Sequence, residues 1–285
     1  MGVLSKATSF LRTSHDSLLA LREQTRDLVA FLQDNYYRES LRRPPYDDPR
    51  HLAPYGYKIF SESDEDGIIN EIFRRIGVED RTFFEFGVGN GGQNNTVNLL
   101  VQGWRGFWIE GSPDNMRVIS TRLAAYIRAG ELKALQAFIT RDDINQLISR
   151  LGVPESLDLL SIDIDGNDYW VWEAMERISP RVVVIEYNAT LRPPHSVVME
   201  YKDDYVWDGT SYFGASLVAL EKLGRAKGYS LVGCNFTGVN AFFVRNDLLG
   251  DFFLTPLTAE KHYEPAKYFR LRAGHRSGIG PYVRI

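Results

Sequence analysis

A glycine-rich segment is the part of this 285-residue sequence best suited to holding a ligand through its backbone. It reads Glu85-Phe86-Gly87-Val88-Gly89-Asn90-Gly91-Gly92 and continues the apolar run Thr82-Phe83-Phe84. Glycines in such a loop let the backbone approach a ligand that a Cβ atom would repel. A plain turn between a strand and a helix also uses glycines, so the interpretation of the loop depends on the acids around it.

Two kinds of cofactor site use a loop of this type, and the acid before it distinguishes them. Gly87, Gly89 and Gly92 satisfy the dinucleotide pattern Gly-x-Gly-x-x-Gly. Counted from Glu85, the loop satisfies the acid-x-Gly-x-Gly-x-Gly pattern of S-adenosylmethionine sites. A carboxylate at the end of a strand repels a pyrophosphate but attracts the cationic methionine end of S-adenosylmethionine. Glu85 therefore favours S-adenosylmethionine over NAD.

Two further acids are candidates for contact with the same cofactor. Glu110 ends the second apolar run, where doubly wound folds place an acid that accepts hydrogen bonds from ribose hydroxyls. Asp142 follows the third run and is expected either to bind the adenine amino group or to cap the next helix. The full set of expected cofactor contacts is Glu85, Gly87, Gly89, Asn90, Gly91, Asn95, Glu110 and Asp142.

Acidic and amide side chains follow the fourth and fifth apolar runs. Asp163 and Asp165 come after the fourth, and Glu186 and Asn188 come at the end of the fifth. Their oxygen atoms are the ligands that Mg²⁺ and other hard divalent cations prefer, and a metal there would lower the pKa of an attacking hydroxyl. Without a metal, Asp163 and Glu186 would bind an acceptor by hydrogen bonds, and Asp165 would cap the next helix. We therefore expect Asp163 to be catalytic and all four residues to form the metal site.

The loop after the fifth run contains a candidate general base and a candidate lid. His195 is the histidine best placed to act as a base; the alternative is an exposed loop histidine. Residues 193–213 contain four aromatic side chains that suit a sugar ring, although aromatic residues also simply pack loops down. These are Tyr201, Tyr205, Trp207 and Tyr212. His262 and His275, in the C-terminal tail, are expected at the surface.

The pattern of apolar runs predicts the elements that position these residues. Continuous apolar runs alternate with amphipathic stretches, which is typical of parallel strands covered by helices on both faces. The last two runs, 229–234 and 239–244, are joined too closely for a parallel crossover and must pair antiparallel. We expect an α/β fold with a doubly wound, mostly parallel seven-stranded sheet, Rossmann-like, ending in an antiparallel hairpin. The five parallel strands are predicted near 82–86, 106–110, 132–138, 157–163 and 181–187.

The N-terminal part of the chain differs from this alternation. Residues 4–37 carry leucines and phenylalanines at helical spacings, and Pro44 and Pro45 then interrupt regular structure. We expect residues 1–45 to form a helical extension with a linker, and residues 46–285 to form the cofactor-binding domain. The helix is expected either to pack on that domain or to join copies of the chain into a homo-oligomer.

Composition excludes several classes of partner. A net charge of −4 provides no basic excess for binding nucleic acid. No apolar run approaches the roughly 20 residues of a membrane span. One cysteine, Cys234, and no signal-peptide pattern favour a cytoplasmic location. The expected partner is a small-molecule or glycan acceptor.

Several segments resemble the FkbM-like class I S-adenosylmethionine-dependent methyltransferases. The resemblance covers residues 58–245 and implies O-methylation, commonly of sugars, glycan precursors or secondary metabolites. It is carried by Phe84–Gly87, Asn94–Thr96, Leu99, Gly103–Gly111, Asp163–Gly166 and Ser63–Gly67. Two alternatives stay open. An NAD(P)-dependent oxidoreductase of Rossmann type is disfavoured, because no Tyr-x-x-x-Lys pair follows the fourth strand; a non-catalytic interaction module would use the N-terminal helix.

Overall fold

The chain divides into two units, residues 1–48 and residues 49–285. A computed structural model describes residues 2–267 and 275–285, with side chains described from residue 15 onward. The boundary lies three residues after the position expected from the proline-containing linker.

The first unit is built on one long helix, α1 (Gly2–Ser40). No proline and no glycine occur between Val3 and Arg43, and most residues of the segment are good helix formers. The helix is therefore longer at both ends than the predicted 4–37. No helix among the residues that the structure describes is long and apolar enough to cross a bilayer.

The second unit contains a seven-stranded sheet with the order β3-β2-β1-β4-β5-β8-β7. The first five of these pair in parallel, and β8 is antiparallel to both of its neighbours. This is the sheet of a class I methyltransferase fold, so the predicted fold class is confirmed. The strands are β1 (Thr82–Phe86), β2 (Arg105–Glu110), β3 (Leu132–Gln136), β4 (Ser156–Ile162), β5 (Ser179–Glu186), β7 (Tyr229–Cys234) and β8 (Asn240–Arg245).

Helices cover both faces of this sheet and bury two apolar layers. Side chains alternate along each strand, so Phe84 and Phe86 join one layer while Phe83 and Trp108 join the other. The helices are α2 (Glu65–Ile76), α3 (Val97–Val101), α4 (Pro113–Arg122), α5 (Ala124–Ala129), α6 (Ile144–Leu151), α7 (Asp168–Ala174), α8 (Leu217–Ala226) and α9 (Ala259–His262).

Two features of the fold were not predicted. The segment between residues 113 and 129 forms two helices, α4 and α5, which meet at Leu123. A second, two-stranded sheet joins β6 (Val197–Met199), within the predicted lid, to β9 (Tyr282–Arg284) near the C-terminus. Its strands are only three residues long, and no periodicity can be recognised over such a length.

Candidate active site

The glycine loop turns sharply at the carboxyl end of β1. Gly87 has a φ of +78°, and a Cβ atom at this position would lie 1.4 Å from the backbone oxygen of Asp163. Gly89 has a φ of +55°, but a Cβ atom there would meet nothing within 4 Å. Gly87 is therefore required by the contact between the ends of β1 and β4, whereas Gly89 keeps the loop open to a ligand.

A cavity of about 230 Å³ lies at the carboxyl ends of β1 to β4. This is the edge at which doubly wound sheets bind ligands. Three of the lining residues are acids. Among the lining residues in the described part of the chain there is no lysine and no arginine. The lining residues are Gly87, Gly89, Glu110, Gly111, Asn115, Ala137, Phe138, Ile139, Asp163, Ile164, Asp165, Asn167 and Tyr205.

Two hydrogen bonds hold the carboxylate of Glu110. Its Oε1 accepts hydrogen bonds from the backbone N–H of Ser112 (2.8 Å) and from Nδ2 of Asn115 (3.2 Å). These bonds fix the carboxylate at the cavity wall through Oε1. Glu110 therefore lines the cavity at the end of β2.

Glu85 has a different environment from the one expected. It is 2% exposed, and its carboxylate accepts hydrogen bonds from the backbone N–H of Asn95 (3.0 Å) and the hydroxyls of Ser161 (3.0 Å) and Thr96. Asn95 also donates through Nδ2 to Ser161 Oγ (3.1 Å). Neither Glu85 nor Asn95 is among the described residues that line the cavity. Their visible role is to hold the segment after the glycine loop against β1 and β4.

Burial has a clear effect on the ionisation of Glu85. Desolvation raises its pKa from 4.5 to about 7, although the hydrogen bonds from Thr96, Asn95 and Ser161 act in the opposite direction. The folded state therefore binds a proton at Glu85 in a pH range in which the unfolded chain has released it.

Three other expected cofactor contacts lie outside the cavity lining. Asn90 is exposed, and its Oδ1 accepts the backbone N–H of Gly92 (2.9 Å). Gly91 lies against the ring of Trp108. The side chain of Asp142 is 79% exposed and lies 3.8 Å from the guanidinium of Arg141. Of the expected set, the structure brings Gly87, Gly89 and Glu110 to the cavity.

The acidic cluster forms where β4 and β5 end. One carboxylate oxygen from each of Asp163, Asp165 and Glu186 lies within 4.8 Å of the other two. Asp165 adopts a φ of +56°, which is uncommon outside glycine. Asp168 holds this turn, because its carboxylate accepts the backbone N–H groups of Ile164 and Gly166 (both 2.8 Å).

The carboxylates of this cluster raise one another's pKa. Desolvation is the largest cause for Asp163 and Glu186, followed by repulsion from neighbouring acids, and both pKa values lie well above the ordinary range. Desolvation and the charge of Asp168 raise the pKa of Asp165 to about 6. Oε2 of Glu186 is buried without a hydrogen-bond partner. A hard divalent cation fits this oxygen set, because its charge would offset the repulsion.

Asn188 and His195 are not brought to the cluster in the way the sequence suggested. The Nδ2 of Asn188 donates to the backbone oxygens of Ser211 and Phe213 (both 2.9 Å), and its Oδ1 accepts from Thr190. Asn188 thereby uses its side chain to fasten the lid segment. His195 is exposed and is absent from the described cavity lining.

The predicted lid contributes one aromatic side chain to the cavity. The ring of Tyr205 packs on Gly166, where a Cβ atom would lie 2.3 Å from the ring. Its hydroxyl donates to the backbone oxygen of Tyr212 (2.7 Å), and Asn167 Nδ2 donates to the backbone oxygen of Lys202 (2.7 Å). Burial raises the pKa of Tyr205 to about 12. The lid thus lies directly over the turn that carries Asp165.

The surface location expected for His262 is wrong. Its side chain is 3% exposed, and its ring centroid lies 6.5 Å from that of His51. Desolvation, with a smaller contribution from His51, lowers the pKa of His262 to about 4. The residue belongs to a terminal helix that packs on the domain, which the spacing of the tail did not indicate.

The contact at Gly87 leads to a test with a matched pair of variants. Gly87→Ala should lower the free energy of unfolding by more than about 3 kcal/mol, because the new methyl group meets backbone that cannot move away easily. Gly89→Ala, with a similar φ but open space, should cost only about 1–2 kcal/mol. Urea unfolding measures both, and equal losses would contradict the proposed contact.

The raised pKa of Glu85 predicts a specific pH dependence of stability. Because the folded pKa is raised, this contribution is fully present below about pH 4.5 and is lost as the pH rises through about 7, by about 3 kcal/mol in total. Glu85→Gln should remove this component, so the stability of the variant relative to wild type should rise between pH 5 and 8. Urea unfolding across this range measures it. Glu131→Gln, an exposed control, should follow wild type, and parallel curves for Glu85→Gln would exclude the effect.

Comparison with known proteins provides fold similarity only. The sequence matches no protein-family model and no curated protein. Among solved structures, the methyltransferase domain of bacterial CtHen1-C is 13% identical, with 64% of this chain and 97% of that chain covered and a TM-score of 0.41. The glycopeptide N-methyltransferase MtfA is 16% identical, with coverages of 64% and 96% and a TM-score of 0.38.

Residues 942–1257 of StiE O-MT are 12% identical, with 58% of this chain covered and a TM-score of 0.37. The chain spans about half, 51%, of that structure. At these identities the likeness concerns the fold, and it assigns no substrate to this chain.

Proposed function

We propose that this protein is an S-adenosylmethionine-dependent O-methyltransferase. The observation that carries the proposal is the charge of the cavity beside the glycine loop: Glu110, Asp163 and Asp165 line it, and no basic residue of the described lining opposes them. S-adenosylmethionine carries a net positive charge, which such a cavity attracts. The pyrophosphate of a dinucleotide would be repelled by the same acids in their ionised form.

Sheet topology supports the same cofactor over NAD. The dinucleotide-binding sheet is formed by six parallel strands. Here β8 pairs antiparallel between β5 and β7, as in the methyltransferase fold. An oxidoreductase of this type would also need a Tyr-x-x-x-Lys pair after the fourth strand. Helix α7, whose sequence is DYWVWEA, contains no such pair. Both observations favour methyl transfer.

The residues present divide into a cofactor side and an acceptor side. Gly89 and Glu110 would hold the nucleoside, and the carboxylates of Asp163, Asp165 and Glu186 would bind the acceptor hydroxyl or a divalent cation next to it. A bound cation would lower the pKa of that hydroxyl. In the reaction, the hydroxyl oxygen forms a bond to the methyl carbon as the carbon–sulfur bond breaks, and Asp163 accepts the hydroxyl proton.

The acceptor class follows from the resemblance and from the lid. FkbM-like enzymes commonly methylate sugars, glycan precursors or secondary metabolites, and Tyr205 provides an aromatic surface beside the acids. We therefore propose a hydroxyl of such a compound as the methylated group. Carboxylates that accept hydrogen bonds from neighbouring hydroxyls suit a polyol better than an apolar acceptor.

Calorimetry with S-adenosylhomocysteine and NAD tests the cofactor. The protein should bind S-adenosylhomocysteine, and Glu110→Gln should weaken that binding by about tenfold, because a charged acceptor for the ribose is lost. Asp142→Asn, a control with an exposed carboxylate outside the cavity lining, should bind like wild type. Binding of NAD without any response to S-adenosylhomocysteine would favour the oxidoreductase. Binding of neither ligand would favour a non-catalytic module.

Titration with Mn²⁺, followed by electron paramagnetic resonance, tests the cation. Wild type should bind one ion, and Asp163→Asn should weaken the affinity by about tenfold or more through loss of a charged ligand. Asp204→Asn, which removes an exposed acid of the lid, is the matched control and should have no effect. Methyl transfer that persists unchanged in EDTA and in Asp163→Asn would refute a role for the metal.

A further inference from the structure

The acidic cluster has a neighbour on the adjacent strand that the sequence did not associate with it. Asn240 begins β8 and stands directly opposite Glu186 in the antiparallel ladder with β5. Directly opposed residues place their side chains on the same face of a sheet, with Cβ atoms about 4.5–5.5 Å apart. Asn240 is 3% exposed. Its amide is therefore enclosed beside the Glu186 carboxylate.

A hydrogen bond to Glu65 fixes the orientation of the Asn240 amide. Nδ2 of Asn240 donates to Oε1 of Glu65 at 3.1 Å. Glu65 is itself held by Nδ2 of Asn235 (2.8 Å) and by the backbone N–H of Ser63 (2.8 Å). Because the nitrogen is committed to Glu65, the oxygen of the Asn240 amide points away from that carboxylate.

Two buried oxygens at these adjoining strand ends lack hydrogen-bond partners. They are Oδ1 of Asn240 and Oε2 of Glu186. Buried polar atoms of native proteins are normally satisfied, and each exception needs an explanation. When Glu186 is ionised, both atoms are acceptors and cannot satisfy each other. A cation, which takes several oxygen ligands at once, would satisfy both.

We propose that Asn240 supplies the amide-oxygen ligand of the cation held by Asp163, Asp165 and Glu186. This inference rests on the cation site of the proposed function. It replaces Asn188, whose side chain is committed to Ser211, Phe213 and Thr190. Glu65 acts as a positioning residue, because it touches the ligand side chain and not the cation.

A change of ligand chemistry tests the assignment directly. Thiolate is a soft ligand that favours soft metals over Mn²⁺. Asn240→Cys should weaken Mn²⁺ binding by about tenfold or more and produce a thiolate-to-metal charge-transfer absorption when Cd²⁺ is added. Asn188→Cys is the matched control and should produce no such absorption; wild type, which contains buried Cys234, sets the baseline.

The outcomes separate this inference from the proposal on which it rests. If Mn²⁺ binds to wild type and is lost in Asp163→Asn, but Asn240→Cys binds it unchanged and gives no Cd²⁺ absorption, the Asn240 assignment is overturned and the cation site stands. If wild type binds no Mn²⁺, the cation itself is excluded. Asn240→Asp keeps an oxygen at the position and should retain Mn²⁺ binding. A loss of Mn²⁺ binding in Asn240→Cys but not in Asn240→Asp then results from the change of ligand atom and not from misfolding.

A second observation concerns the long helix α1 alone. Eight of its described apolar or aromatic side chains are 43–65% exposed. An isolated apolar surface of this extent is unusual on a protein that works alone. They are Leu18, Leu19, Leu21, Leu28, Val29, Phe31, Leu32 and Tyr36.

Half of these side chains follow a seven-residue repeat. Leu18, Leu21, Leu28 and Leu32 occupy the two core positions of successive heptads, and Thr25 takes the core position between them. In the sequence, the same spacing continues backward through Leu4, Ala7, Leu11 and Ser14 and forward to Asn35. The hydroxyl of Thr25 donates to the backbone oxygen of Leu21 (2.8 Å). Thr25 therefore adds no unsatisfied hydroxyl to the seam, the row of side chains at these core positions.

We infer that α1 forms a parallel coiled coil with a second copy of the chain. In parallel register each core leucine meets the same leucine of the copy, and Asn35 meets Asn35. The positions that flank the core carry Phe31, Val29 and Tyr36, which widen the contact area beyond a narrow leucine seam. Arg38 is paired with Asp34 within its own helix, which limits repulsion between the copies.

Sedimentation equilibrium of the full chain tests this inference. Wild type should be a dimer at micromolar concentration, and the double variant Leu21→Gln/Leu28→Gln should shift to monomer with at least a tenfold weaker association. Leu19→Gln changes an exposed leucine outside the core positions and should leave the dimer intact. A monomeric wild type, or equal behaviour of the seam variant and the control, would overturn the inference.

Discussion

The site depends on one backbone contact, between Gly87 at the end of β1 and the carbonyl of Asp163 at the end of β4. The two strands are neighbours in the centre of the sheet, and any side chain at Gly87 would force their loops apart. This contact places the glycine loop and the first acid of the cluster in the wall of one cavity. The proposed cofactor side and the proposed acceptor side therefore depend on the same packing constraint.

The acids of this region have two different roles because they differ in burial and in hydrogen bonding. Glu85 is enclosed and satisfied by Thr96, Asn95 and Ser161, so it stabilises the loop and has no free oxygen for a ligand. Glu110 has one oxygen held by Ser112 and Asn115, and the residue lines the cavity. The acids placed to attract the proposed cationic cofactor are Glu110, Asp163 and Asp165, whereas Glu85 is not among the described residues that line the cavity.

The sequence predicted the sheet well because each central strand is a continuous apolar run, and the short connection before β8 permits only antiparallel pairing. It also predicted that Asp163, Asp165 and Glu186 converge, since strand ends meet at one edge. Tyr205 was one of four aromatic residues of the predicted lid, but the sequence could not select it among them, and Asn167 was not singled out, because loop conformation has no periodicity. Asn188 was expected among the ligands because it follows Glu186 closely in sequence, whereas Asn240 lies far along the chain and only the pairing of β5 with β8 brings it beside Glu186.

Two buried oxygens without hydrogen-bond partners lie at the end of β5 and the start of β8, and their proximity depends on the direction of β8. An all-parallel sheet would place the carboxyl end of every strand at this edge, and the amino end of a strand could not reach it. Because β8 runs in the opposite direction, its first residue, Asn240, lies beside the last residue of β5. The antiparallel strand that distinguishes this sheet from a dinucleotide-binding sheet thus also adds an amide group beside the acids. A neutral oxygen there suits a cluster that already holds three carboxylates, because it adds a ligand without adding repulsion.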